Sequence, residues 1–182
     1  RRAGHVGQAL PGVDAQLFDE AHTPILEENI PGEIRIKGDN VFLEYWNNET
    51  ATKESFIDGW FCTGDVAVLD KGYFRIMGRS SVDIIKSGGY KLSALEIEGT
   101  LLTHDDIAEV AVIGVEDETW GESVSAFVVL KPKKTLTYVD LKGWCDGKMS
   151  GYKIPKALHV VDSLPRNAMG KVTKPALKAL AS

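Results

Sequence analysis

Too little of several things is present for this chain to fall into the specialised classes. It has two cysteines, Cys62 and Cys145, far apart and in no C-x-x-C pair. That excludes a disulfide scaffold and a thiolate zinc module, and leaves free thiols in a reducing compartment as the expectation. Its four histidines, His5, His22, His104 and His159, have no ligand spacing, so no metal site is expected within the chain. No apolar run approaches the length of a membrane span, and the first residues do not resemble a signal peptide. Lysine and arginine form no block, and 21 of them against 26 acidic residues give a net charge of −5. Nucleic acid and anionic membrane are therefore poor partners. Neither G-x-G-x-x-G nor the phosphate-loop pattern G-x-x-x-x-G-K-[ST] occurs, and there is no internal repeat or low-complexity tract.

What is present is enough apolar residue, 43% of 182, to bury one or two small cores. The most organised stretch runs from Gly78 to Glu98, GRSSVDIIKSGGYKLSALEIE. Gly88 and Gly89 can take positive φ and let a backbone or ligand approach. Ser93 and Glu96 have the S-x-x-E spacing of a capping box that starts a helix. A glycine turn feeding a helix suits an anion, and equally suits a plain tight turn.

The chain begins at Arg1 without an initiator methionine, as a segment cut from something longer would. Val13 to Phe18 reads as a strand, Thr23-Pro24 as a turn, and Glu33 to Lys37 as a second strand with Ile34 and Ile36 on one face. Short helical pieces follow between Asn40 and Phe56, carrying Phe42, Tyr45 and Trp46 as expected core residues. Two alternating runs around Asp70-Lys71-Gly72 predict a hairpin. The pattern changes beyond Arg79, and a domain boundary is expected between Ser80 and Asp83. A helix from Ser93 to about Thr103 should bury Ala94, Leu95, Ile97, Leu101 and Leu102. Strands are expected at Ile107 to Val115, Ser123 to Leu130 and Leu158 to Val161. A helix capped by Thr137 should run to about Met149, and a last short helix should start near Thr173 with Pro175 in its first turn. The fold class is α+β: a β-rich part followed by a small α+β sandwich.

Glu98 breaks this tidy division. At the helical period it falls in the apolar stripe with Ala94, Leu101 and Leu102. An unpaired carboxylate there costs several kcal/mol or is protonated. A cation or backbone amides from the preceding loop should meet it, with Lys86 and Lys91 nearest in sequence; the alternative is a solvated place on the rim.

Three segments now stand together: Thr63-Gly64-Asp65, Gly78-Arg79 leading into SGGYK and EIE, and Pro165-Arg166-Asn167-Ala168-Met169-Gly170-Lys171. With GHVGQALPGV, GEIRIKG and GYKIP, their order resembles the C-terminal third of the adenylate-forming acyl-CoA synthetases, the AMP-binding enzyme superfamily, over the whole chain. LPRNAMGKVTK, SVDIIKSGGYKLSALEIE and AVIGVEDETWGE look most like the malonyl-CoA synthetase branch.

The resemblance implies residues 1–79 as the β-rich end of a large N-terminal domain and 80–182 as a small mobile C-terminal domain. It implies an intracellular ligase, cytoplasmic or mitochondrial, that joins a small carboxylic acid to ATP as an acyl-adenylate and then to CoA. On this pattern Asp65 binds the ribose hydroxyls, Arg79 also contacts the nucleotide, and Lys171 is the catalytic lysine. Ser87, Gly88 and Gly89 would form the loop at the pantetheine tunnel. Trp120 would stack on the CoA adenine, and Lys153 or Lys156 would meet a CoA phosphate. The hinge lies within Ser80, Ser81, Val82 and Asp83, which look one residue longer than in many relatives. Magnesium ligands and most of the acyl pocket would belong to the missing N-terminal domain of the same protein. Two other readings stay open: an adenylation domain that loads a carrier protein, and a non-catalytic fragment that binds nucleotide or CoA.

Overall fold

A computed structural model describes residues 4–181, and the chain divides between Ser81 and Val82 into two compact units. The first unit is built on one sheet. Strand β1 (Val13–Phe18) pairs with the short β2 (Pro24–Ile25) on one side and with β3 (Gly32–Gly38) on the other. Helix α1 (Glu49–Ser55) follows, capped by the Asn48 side chain on the Ala51 N–H. Then β4 (Phe56–Ile57), β5 (Trp60–Asp70) and β6 (Tyr73–Arg79) complete the order β2-β1-β3-β5-β4, with β6 also on β5.

The expected hairpin is β5–β6. Lys71 and Gly72 both have positive φ, 51° and 77°, which is the twist a two-residue connection between antiparallel strands demands. The aromatic expectation fails in part. Trp46 is 84% exposed, and Phe42 and Tyr45 are exposed as well. The Phe42 ring meets those of Tyr45, Phe56 and Phe61 at steep angles, while α1, which buries none of its residues, leaves this corner open.

The second unit places helices on both faces of a five-stranded sheet. A hairpin missed by the sequence reading opens it: β7 (Ile84–Ser87) and β8 (Tyr90–Ser93), joined by Gly88-Gly89 with φ of 58° and 81°. Helix α2 (Ala94–Leu101), β9 (Ile107–Asp117), β10 (Gly121–Leu130), α3 (Tyr138–Cys145), β11 (Ala157–Val160) and α4 (Lys174–Ala181) follow. β10 is central, antiparallel to β9 and parallel to β11.

Strand alternation sends Val112, Val124, Ala126 and Val128 to the face covered by Ile97 and Leu101 of α2 and Leu141 and Cys145 of α3. Ala111, Ile113 and Phe127 point the other way, onto Leu177 of α4. The apolar stripe of α2 is narrower than expected, since Leu95 and Leu102 are exposed and the helix stops at Leu101. Helix α3 also ends early, at Cys145, although its Thr137–Asp140 capping box is complete. In α2 the Ser93 hydroxyl accepts from the Glu96 N–H, while the Glu96 carboxylate is drawn away to Lys153.

Candidate functional site

Asp65 and Arg79 are partners across the β5–β6 hairpin, with Arg79 Nε 3.3 Å from Asp65 Oδ1 and both side chains partly in solvent. The backbone carrying Asp65 is held on several sides. Thr63 Oγ1 donates to Ile34 O at 2.6 Å, the Gly64 N–H donates to Glu33 Oε1 at 3.1 Å, and the Asp65 N–H donates to Thr63 Oγ1 at 3.1 Å. Arg79 Nη1 donates to the Thr63 carbonyl. Gly64 has φ +74°, and a Cβ there would lie 3.0 Å from Arg79 Nη1. Only glycine combines that conformation with so close an arginine.

Glu33 is fixed in turn by Arg35, which is 3% exposed and donates through Nε at 2.9 Å. Arg35 also lies over the Phe18 ring and meets His22 Nδ1 at 2.8 Å. This buried cation was missed by the sequence reading, because alternation alone placed it on the outer face. The outcome is a carboxylate on a rigid bulge with accepting capacity to spare for vicinal hydroxyls, beside a guanidinium.

In the second unit, Lys171 stands on the closed loop between β11 and α4. Arg166 bridges to Val172, the Thr173 N–H donates to Pro165 O at 2.8 Å, and Asn167 Oδ1 accepts the Met169 and Lys171 N–H groups, each at 3.0 Å. Arg166 also donates to Gly170 O at 2.7 Å and to the Glu109 carboxylate on β9. The backbone is thus fixed while the Lys171 side chain is exposed, and among the described residues its ammonium meets no carboxylate. A point charge on a flexible stem over a rigid base can follow a moving anion.

The Gly88-Gly89 turn lies against Trp120. The Gly88 N–H donates to Trp120 O at 2.9 Å, and a Cβ on Gly88 would come within 2.9 Å of the indole. Gly89 faces open space, so its bare backbone is accessible to a ligand. Lys156 Nζ sits 3.8 Å from the Trp120 ring centroid, a cation–π contact, and Tyr90 stacks on Tyr152 at 4.8 Å. Ser87, Gly88, Gly89 and Trp120 are therefore neighbours. Lys153 is tied elsewhere, to Glu96 Oε1 at 2.6 Å.

Residues 96–171 match the AMP-binding enzyme C-terminal domain. A malonate–CoA ligase of Arabidopsis thaliana is 46% identical over 98% of this chain and 31% of its own length. The mitochondrial malonate–CoA ligase of Homo sapiens is 44% identical over 97% of this chain and 34% of its own. The crystal structure of ATP-bound MatB from Rhodopseudomonas palustris superposes with a TM-score of 0.83 at 39% identity, over 97% of this chain and 35% of that one.

Residues 96–171 carry an AMP-binding enzyme C-terminal domain, and the chain around them is similar to CoA ligases. It spans about a third of the length of the relatives it matches. Its strands and helices make it α+β. Among the described residues no group of three or more His, Cys, Asp or Glu is arranged to hold a metal. No described helix is long and apolar enough to cross a membrane.

The partner of Glu98 corrects the sequence reading. The cation is Lys174, 2.8 Å from Glu98 Oε1, in place of Lys86 or Lys91, and the amide is that of Val112 on β9, at 2.8 Å. Lys174 also reaches Asp83 Oδ1 at 2.7 Å. Sequence could demand a cation for Glu98, but only the packing of α4 against β9 supplies a lysine so far along the chain.

Proposed function

We propose that the full-length protein is an ATP-dependent carboxylate–CoA ligase acting on malonate or methylmalonate. The observation that carries this reading is the similarity to malonate–CoA ligases along nearly the whole chain. The active-site geometry supports it. In the first half-reaction a carboxylate attacks the α-phosphate of ATP, and pyrophosphate leaves. Asp65 accepts from the ribose hydroxyls, Arg79 faces the nucleotide, and Lys171 places a positive charge between two anions that must approach each other.

In the second half-reaction the CoA thiol attacks the acyl-adenylate carbonyl and AMP leaves. The open backbone at Gly89 lines the path of the pantetheine arm, and Trp120 with Lys156 offers a face and a cation to the CoA nucleotide. The second unit turns within Ser80 to Asp83 to present first the Lys171 loop and then the glycine turn. Residues outside 1–182 would hold magnesium, which when bound supplies charge neutralisation to the triphosphate. The protein works inside the cell, in mitochondria or cytoplasm.

Two measurements test the reading. The ratio kcat/KM of the full-length enzyme for malonate, acetate and palmitate should favour malonate, since a second carboxylate rewards a bidentate cation in the acyl pocket; preference for palmitate overturns the substrate assignment. Lys171→Ala should slow pyrophosphate release roughly a hundredfold, as loss of one well-placed charge of about 3 kcal/mol implies. CoA consumption from synthetic acyl-adenylate should hardly change. Equal loss in both steps by a folded variant refutes the separation of roles.

A further inference from the structure

The second unit contains a charged cluster to which the reaction as described gives no task. Lys174 Nζ lies 2.7 Å from Asp83 Oδ1 and 2.8 Å from Glu98 Oε1, with the three side chains 11%, 13% and 15% exposed. The groups come from three segments that are distant in sequence. Asp83 is the second residue of the unit and starts the run into β7; Glu98 is on α2; Lys174 opens α4. The two carboxylate residues are each held by a further contact. The Ala94 N–H donates to Asp83 O at 2.8 Å, and Glu98 Oε1 takes the Val112 N–H.

We propose that Lys174 is a positioning residue for Lys171, and that its pair with Asp83 ties the Lys171 loop to the segment joining the two units. Lys174 directly follows Thr173, the residue that closes the Lys171 loop onto Pro165. At its other end the loop is pegged to β9 through Arg166 and Glu109. A loop pegged at entry and exit has little slack, so a shift of Lys174 moves Val172 and its bridge to Arg166. If stability alone were served, the Glu98 pair would neutralise the lysine. The Asp83 arm adds a second buried carboxylate that must be desolvated, and it lies at the end of the stretch, Ser80 to Asp83, within which the unit turns. The pairing makes the position of Asp83 and that of the Lys171 backbone one variable. The proposal rests on the reading that Lys171 serves adenylation.

The experiment uses the full-length protein with Lys174→Met, Lys174→Arg and Asp83→Asn, and with Lys171→Ala as reference. Each is assayed for kcat and KM of pyrophosphate release, for CoA consumption from synthetic acyl-adenylate, and for thermal unfolding. Lys174→Met should lower kcat of pyrophosphate release about tenfold or more, the scale of a misplaced reacting group, with KM for ATP and the second step nearly unchanged. Lys174→Arg should recover most of the rate, and Asp83→Asn should show the same selective loss to a smaller degree.

Equal loss in both half-reactions, tracking a lowered melting temperature, makes the cluster merely structural and overturns the proposal. So does an unchanged first step in any folded variant lacking the Asp83 pair. If Lys174→Met fails to fold, Asp83→Asn decides alone; failure of both to fold assigns the cluster to stability and also overturns it. If Lys171→Ala leaves pyrophosphate release intact, the adenylation reading falls and takes the proposal with it. If Lys171→Ala slows that step while Asp83→Asn and Lys174→Met do not, only the proposal falls.

Discussion

The two units solve the problem of covering a sheet to different degrees. In Val82–Ser182 the β9–β10 pair is roofed on both faces, by α2 and α3 on one and α4 on the other, and Val112, Ile113 and Phe127 are lost to solvent. In Arg1–Ser81 one sheet has a single seven-residue helix with no buried residue. Leu26, Leu43 and Trp46 stand in water, and an open cleft of about 570 Å³ runs between Leu17, Ile25, Trp60 and Phe74. A sheet needs a second layer to close its core, and contiguous apolar surface on a soluble protein marks a surface meant to be covered. The second unit brings its own layers; the first has a face waiting for one.

The sharpest test cuts the chain between them. Residues 82–182 alone should unfold cooperatively and bind no apolar dye, whereas the 182-residue chain should bind dye and form no acyl-CoA from ATP, CoA and any carboxylate tried. Equal dye binding before and after trimming, or any turnover, breaks the comparison. A smaller effect separates two phenylalanines. Phe127→Ala, at a site 1% exposed, should cost about 3–5 kcal/mol in urea unfolding of residues 82–182. Phe42→Ala, at a site 40% exposed, should cost about 1 kcal/mol or less. Similar costs would mean that the first unit is as well packed as the second.

The smallest effect uses one thiol in each unit. Burial raises the pKa of Cys145 and, with help from the Glu33 carboxylate, that of Cys62. In both the folded state keeps its proton longer than the unfolded chain does. Their contribution to stability is therefore whole below the ordinary thiol pKa and is lost as pH rises beyond it. A thiol reagent at neutral pH should label the half-buried Cys62 first and reach Cys145 only through unfolding of its unit. Equal labelling rates would contradict the difference in closure.

Much of this was legible in residues. Alternation marked β3, β5 and β6, and a near-continuous apolar run marked β9, which its unit covers on both faces. Positive φ at Gly88 and Gly89 followed from their identity, yet the hairpin they close was missed, since β7 and β8 are too short to display a period. Phe42, Tyr45 and Trp46 were misjudged because apolar character says that a residue seeks cover, and says nothing of whether the cover is in the same stretch of chain. The candidate site residues divide similarly. Asp65, Arg79 and Lys171 are carried by short contiguous motifs. Arg35, Arg166 with Glu109, and Lys174 with Asp83 act through pairs that only tertiary packing assembles.

The amide of Val112 carries a consequence of its own. In the described ladder β9 pairs with β10 alone, so the N–H groups on its outer edge lack a neighbouring strand, and that of Val112 is taken by the Glu98 carboxylate. Amides deep in a ladder exchange with deuterated solvent only when the whole unit opens, whereas an amide held by a side chain exchanges when that side chain lets go. Deuterium uptake at Val112, compared with that at Ala126 beside it, therefore measures how often Glu98 releases its grip, with no substrate present.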